Sequence, residues 1–402
     1  MGVNETLYLP AAPWRERPGL AELCVALGCA QGSARFVGGV VRDTLLGLAA
    51  ADIDIATSLP PDQVVQRIKG AGLRAVPTGL AHGTITALLP DGPVEVTTLR
   101  RDVSTDGRRA TIAFTDDWRE DAARRDFTIN ALYADPASGA LFDYFGGLAD
   151  LAARCVRFIG DPLQRIAEDH LRILRFFRFS ARFAETVDAA GLAAATTRAN
   201  DLMALSRERI ADELLKLLLA PRAPETVALM LAHGVLKPVL PEIGSATRLA
   251  RVAAVEAAGG LVPDAIRRLA ALLPDDPALG DQIGARLKLS NAQRKQLASA
   301  LDRQLAPPRA LAYQLGSAGA ADRIALQLGE AEALAALAVI AGWPVPRLGV
   351  SGGDLVARGI RKGPVVARTL RAIERRWVAE DFPGDERLAA IRDEEVDQAL
   401  RA

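Results

Sequence analysis

The stretch Phe36–Thr57, FVGGVVRDTLLGLAAADIDIAT, is the part of the chain that most narrows its possible folds. Ala34–Val37 has the composition of a short buried strand, and Gly38 and Gly39 break it. The pattern then predicts a helix over Val40–Leu46, stopped by Gly47. A second strand is expected over Ala51–Ala56, where alternation sends Asp52 and Asp54 to one face and Ile53 and Ile55 to the other. The free N–H groups of a helix start, here beside Gly38 and Gly39, favour phosphate. Paired carboxylates on a neighbouring strand suit Mg²⁺, a hard cation that takes oxygen ligands and shares its shell with phosphates. Each half alone has a plainer reading, a tight turn or a solvated strand edge. Their order within one strand–helix–strand unit favours a site for a nucleoside triphosphate and its metals. No Gly-Lys-Ser/Thr follows, so this is not a Walker loop, and the G-x-G-x-x-G spacing of a dinucleotide site is absent.

A chain of 402 residues exceeds one ordinary core and implies two to four domains. With 50% hydrophobic and 24% charged residues it should fold as a globular protein. Lys and Arg total 49 and Asp and Glu total 49, which speaks against non-specific nucleic-acid binding but not against a basic face for RNA. Cys24, Cys29 and Cys155 lack metal-like or disulfide-like spacing and read as small buried side chains in a reduced compartment. The N-terminus lacks a secretory pattern and no apolar run is long enough for a bilayer, so a cytoplasmic location without membrane contact is expected.

Residues 1–20 read as a lead-in, and residues 21–146 mix short strands with helices. Strands are expected at Thr84–Leu89, Val94–Leu99 and Ile112–Phe114, with a helix at Pro61–Gly70. The turn Pro90–Pro93 joins two of these strands and puts Glu95 where it could lie beside Asp54. Glu95 is therefore either a third metal ligand or an ordinary strand carboxylate, whereas His82 reads as a structural hydrogen-bonder. Arg101–Asp121 is a long polar run, expected as a loop beside the site that shapes nucleotide choice. Arg124, Arg125 and Asp126 are expected to start a helix. There an Arg could clamp phosphate and Asp126 could accept from a ribose hydroxyl, but on this segment alone a helix start with a local ion pair is the preferred reading.

From about Pro162 the chain turns to Ala/Leu-rich helices, among them Arg209–Leu219, Glu225–Ala232 and one capped by Ser290 and Gln293. Ile166–Phe183, IAEDHLRILRFFRFSARF, carries Asp169, Arg172, Arg175, Arg178 and Arg182 at helical three- and four-residue steps. Four arginines beside one acid pair, Glu168 and Asp169, suit a groove for a triphosphate and a base edge. A solvated helix face is the plainer alternative.

GGVVRD with DIDIAT, HGTITALL, VEVTTLR, RRDFTINAL, FDYFGGLADL, EDHLRILRFFRF and SRERIADEL together resemble the class II CCA-adding tRNA nucleotidyltransferases and bacterial poly(A) polymerases. The likeness runs nearly continuously from Phe36 to about Leu219, and Ser351–Pro364 resembles the C-terminal segment of the CCA-adding members. It implies an α+β fold, a nucleotidyltransferase head of the DNA polymerase β type followed by all-α neck, body and tail. The corresponding spans are 21–146, 147–220, 221–345 and 346–402. Asp52 and Asp54 would bind Mg²⁺. Gly39, Arg42, Arg125, Asp169, Arg172, Arg175 and Arg178 would contact the incoming CTP or ATP, with Asp169 and Arg172 selecting the base. The partner would be the tRNA 3′ end, and Arg361 and Lys362 before Gly363-Pro364 offer a phosphate seat. No stable protein partner is implied. A poly(A) polymerase shares the head chemistry, but the acidic C-terminus lacks a basic RNA tether. The full-length Arg101–Asp121 run argues against a CC-only enzyme. Only three His residues, His82, His170 and His233, argue against an added phosphohydrolase domain. A catalytically inactive RNA-binding scaffold is the alternative from another class.

Overall fold

The computed structural model describes residues 7–50, 52–105, 110–361 and 363–401. They fall into two compact units divided between Pro241 and Glu242. In the first, α1 (Leu20–Ala26) precedes β1 (Ala34–Val37), α2 (Gly39–Leu45), β2 (Asp54–Thr57) and α3 (Pro61–Gly70). Next come β3 (Arg74–Gly79), β4 (Thr84–Leu89), β5 (Gly92–Thr98), the hairpin β6 (Arg100–Thr105) and β7 (Ala110–Phe114), and α4 (Trp118–Ala123). Two short strands, β8 (Leu132–Ala134) and β9 (Leu141–Asp143), lead to α5 (Gly147–Ala152), β10 (Cys155–Val156), α6 (Pro162–Glu168) and α7 (Arg172–Phe183). β11 (Thr186–Val187), α8 (Ala189–Thr197), α9 (Arg207–Leu218) and α10 (Ala223–Ala232) complete the unit, α10 packing on α7 and α9.

Seven strands form one sheet in the order β3-β4-β5-β2-β1-β8-β9. β2 and β5 run parallel, whereas β1 pairs antiparallel with both β2 and β8. Register decides the faces. Asp54 lies opposite Glu95, Ala56 opposite Arg35, and Val37 opposite Tyr133, so these side chains share one face. Phe36 and Ile55 are paired on the other face, where Val96 and Ile85 join them in the core. α3 packs against β3, β4 and β5 there, burying Val64 and Ile68. Each fully buried side chain of this size contributes about 1.5–3 kcal/mol. The lead-in segment is part of this core, because the Trp14 ring meets Phe36 at 4.8 Å and its indole N–H donates to Thr44 Oγ1 at 2.9 Å.

Several expectations shift. The strand expected over Ala51–Ala56 starts at Asp54, and Ala51 lies outside the described residues. Gly38, at φ 72°, turns the chain out of β1 just past the position opposite Asp54, so residues before Asp54 have no β1 partner. The polar run Arg101–Asp121 is not a loop. Most of it belongs to β6, β7 and α4, with residues 106–109 outside the described set. Arg124–Asp126 follow the end of α4 rather than opening a helix, and Phe127, Ile129 and Leu132 are buried through a short 3₁₀ turn at Thr128–Asn130. The single helix expected over Ile166–Phe183 is two, because Asp169 is extended at φ −149° and ψ 107°.

FDYFGGLADL has a local explanation. Asp143 accepts from the backbone N–H groups of Phe145, Gly146, Gly147 and Leu148, which fixes the entry to α5. A Cβ at Gly147 would lie 2.3 Å from the Thr128 carbonyl oxygen. Gly147→Ala is therefore expected to destabilise the protein by about 1–3 kcal/mol. An unchanged urea midpoint would refute this close approach.

The second unit is helical: α11 (Thr247–Ala258), α12 (Ala265–Ala270), α13 (Pro277–Arg286), α14 (Asn291–Ala300), α15 (Pro308–Gln327), α16 (Glu330–Ile340), α17 (Gly352–Ala357), α18 (Pro364–Ala379) and α19 (Asp385–Arg401). The Ser290–Gln293 capping box forms as expected. α18 starts at Pro364 after Gly363 at φ 128°, a conformation that favours glycine. Buried Arg267 joins Glu256 at 2.8 Å to Asp322 at 2.7 Å, tying α11, α12 and α15 together. The last helices close over Leu355, Ile373, Trp377 and Ile391.

Candidate active site

Arg125 is the residue on which the parts of the site converge. A Cβ at Gly38 would come within 3.4 Å of Arg125 Nη1, so the guanidinium lies against the glycine turn that leaves β1. The same cation lowers the pKa of Asp54. Its own orientation is set from α4 and β8: Arg125 Nη2 is 3.2 Å from Asp121 Oδ2, and Nε donates to Tyr133 Oη at 3.3 Å. Tyr133 in turn donates to Asp121 Oδ2 at 2.7 Å. Burial pushes the Asp121 carboxyl up, but Arg125, Arg124 and Tyr133 outweigh it and hold it at about 2.

Asp54 titrates the other way. Burial, then Glu95 and Asp52, push its carboxyl up to about 6 against the pull of Arg125. The three acids thus concentrate negative charge that Arg125 offsets only in part. Glu95 is beside Asp54 in register, as the sequence suggested. Among the described residues, however, no three His, Cys, Asp or Glu side chains close into a metal cluster. Hard oxygen donors with uncompensated charge fit a divalent cation that completes its shell from elsewhere.

The arginines of α7 do not line one open stripe. Arg175 grips Asp126 through Nε at 2.8 Å and Nη2 at 2.5 Å, and Glu213 of α9 lies 3.6 Å from its Nη1. Arg178 donates to the same Glu213 at 2.6 Å. Arg172 is buried, donating to Glu168 at 2.6 Å and to the Arg165 and Arg124 carbonyls at 2.8 and 3.1 Å. Asp169, in the break between α6 and α7, accepts from Arg209 Nη2 at 3.1 Å to each carboxylate oxygen. Arg42 is also occupied: it pairs with Asp43 at 2.7 Å, donates to Asn130 and lies over the Phe183 ring at 4.3 Å.

Residues 34–157 match the family model described as the poly A polymerase head domain. Residues 186–247 match one described as a probable RNA and SrmB-binding site of polymerase A. The mitochondrial CCA tRNA nucleotidyltransferase 1 of Mus musculus is 36% identical, over 89% of this chain and 86% of that protein. The chain belongs to the CCA tRNA nucleotidyltransferases. The CCA-adding enzyme of Limosilactobacillus fermentum is 33% identical over 88% of this chain and 90% of its own. The crystal structure of the Bacillus stearothermophilus CCA-adding enzyme in complex with CTP has a TM-score of 0.74 at 26% identity, covering 96% of this chain and all of that one.

Seen as a member of this family, the chain places its expected site residues in two groups. Gly38, Arg125, Asp54 and Asp52 gather at the glycine turn. Asp126, Arg175 and Arg178 join through Glu213, Glu168 pairs with Arg172, and Asp169 pairs with Arg209, three separate sets of ion pairs around α7. Arg361 is exposed just before α18, and Lys362 lies outside the described residues. Reading the sequence missed Asp121, Tyr133, Arg209 and Glu213. The last two had a signal: they stand four residues apart in SRERIADEL, on one helix face.

Proposed function

We propose that this chain adds C, C and A to tRNA 3′ ends, taking CTP and ATP as substrates and using no nucleic-acid template. The convergence of the glycine turn, Arg125 and the Asp54 carboxylate carries this reading. In it, the tRNA 3′-hydroxyl attacks the α-phosphate in line and pyrophosphate leaves. Asp52 and Asp54 would hold Mg²⁺, which when bound lowers the pKa of the hydroxyl and neutralises triphosphate charge. Gly38 and Gly39 let the triphosphate approach the backbone, and Arg125 meets its charge. Arg175 and Arg178 add positive charge from α7. Asp169 accepts from the exocyclic amine of cytosine or adenine, while Arg172 donates to ring nitrogen or carbonyl. Arg42, Asp126 and Glu168 complete the nucleotide site by holding its walls.

Residues 21–146 serve as the catalytic head, 147–220 as the nucleotide-reading neck, 221–345 as the body and 346–402, with Arg361 and Lys362, as the tRNA-holding tail. Among the described residues no helix is long and apolar enough to cross a membrane, and a cytoplasmic location is the reading kept.

The test uses a tRNA transcript lacking CCA, with Mg²⁺ and CTP, ATP or both, sized at single-nucleotide resolution. Two additions with CTP alone and a stop at three with both are expected. A long ladder with ATP alone would make the chain a poly(A) polymerase, and no extension would favour the scaffold. Arg209→Ala frees Asp169 from its clamp. It is expected to weaken discrimination against UTP by about tenfold, a loss of about 1.4 kcal/mol, while tRNA affinity stays unchanged. Equal losses in both would show that Arg209 merely supports the fold.

A further inference from the structure

On the sheet face opposite Asp54, α1 ends in a glycine stop that brings two of the three cysteines together. Gly28 takes the left-handed conformation at φ 72°, and its N–H donates to the Val25 carbonyl at 3.0 Å. In such a stop the residue after the glycine meets the one four positions before it. Here those residues are Cys29 and Cys24, and the nearness of Cys24 raises the pKa of the Cys29 thiol. The stop needs glycine, because a Cβ at Gly28 would lie 2.6 Å from Ser33 Oγ in addition to its positive φ. Both cysteines line one cavity of about 330 Å³, whose walls include Arg15, Leu20, Phe36 and Pro136. Cys24 is half-buried and Cys29 is buried. Thus both thiols border one cavity, and Cys24 is the more accessible of the two.

We propose that Cys24 and Cys29 are a redox-active dithiol, closed to an intramolecular disulfide by exchange with small-molecule disulfides that enter this cavity. The Cys24 thiolate attacks one sulfur of the small disulfide. Its S–S bond breaks, one small thiolate leaves and takes a proton from water, and a mixed disulfide forms on Cys24. Cys29 then loses its proton to solvent, attacks the Cys24 sulfur and displaces the second small thiol. Two protein thiols are oxidised and one small disulfide is reduced to two thiols. Cys24 and burial raise the pKa of the Cys29 thiol, so the more exposed Cys24 attacks first and Cys29 follows once the mixed disulfide has formed beside it. The glycine stop fixes the pairing, and Cys155, on β10, has no part in it.

The full-length protein is incubated with oxidised glutathione, remaining thiols are alkylated after denaturation, and intact mass and peptide maps are recorded. Wild type is expected to lose two hydrogens, keep no glutathione and alkylate only at Cys155. Cys29→Ser should retain one glutathione on Cys24, and Cys24→Ser should retain none on Cys29. Glutathione held on wild type without closure, closure involving Cys155, or three alkylated thiols would each overturn the proposal. The wild-type peptide map decides the matter even if a serine variant fails to fold.

Discussion

Asp54→Asn is expected to abolish nucleotide addition and, in chelator, to make the protein more stable above pH 6. The loss of turnover follows from removing a carboxylate that would hold the catalytic cation. About 4 kcal/mol of lost charge stabilisation corresponds to about a thousandfold in rate. The gain in stability follows from the direction of the shift. The folded carboxyl titrates at about 6 against an ordinary 3.8, because burial, Glu95 and Asp52 disfavour its charge. Between these values the folded state binds more protons than the unfolded state, so stability falls as pH rises through the window and the full penalty persists above it. Asparagine removes that penalty, worth about 1–2 kcal/mol once partial solvent access is allowed for. Urea midpoints at pH 5 and pH 8 in chelator should therefore converge in the variant and differ in wild type. Retained turnover would remove Asp54 from the chemistry, and an unchanged pH slope would remove the charge crowding.

Elements set by local pattern were legible in the sequence. The helix Pro61–Gly70 and the strand Thr84–Leu89 match the expected spans, since proline at a first turn and alternation bounded by turn residues are local signals. The nearness of the glycine turn to Asp54 was legible too, because both belong to one short strand–helix–strand unit. What failed depended on distant partners. α6 and α7 show one helical period across a break that exists where Asp169 is extended and meets Arg209, a partner forty positions away. Likewise the arginines on α7 satisfied a helical stripe, but their acceptors are Asp126 and Glu213 on other elements. Periodicity shows that a face is polar and says nothing of what fills it. Of the hairpin β6–β7, the strand expected at Ile112–Phe114 is found within β7, whereas β6 falls in the run expected as a loop: Arg101 is exposed, so no apolar alternation marks a buried side.

The ion pairs that run from Asp126 through Arg175 and Glu213 to Arg178 explain why Asp126→Asn should be strongly destabilising. Asp126 is buried, takes two bonds from Arg175, and accepts from Phe127 N–H at 2.9 Å and Asn130 Nδ2 at 3.0 Å. Although burial alone would raise its pKa, Arg175 and Asn130 hold the carboxyl below its ordinary value. Its contribution is therefore present at neutral pH and lost in acid, as pH falls through the folded pKa. Neutralising it leaves Arg175 facing an amide, with Glu213 still 3.6 Å from its Nη1, a change that costs about 2 kcal/mol. Arg175→Met in the same chain removes the stranded cation and should recover at least half of that loss. If Asp126 acts only by holding Arg175, the KM for CTP and ATP in either variant should follow the same recovery or remain altered only through Arg175. If it also accepts a ribose hydroxyl, Arg175→Met alone should leave nucleotide binding better than the double variant does. Equal urea midpoints for wild type and Asp126→Asn would instead show that the buried pair contributes nothing net, and that the place of Asp126 in the head is chosen for the nucleotide.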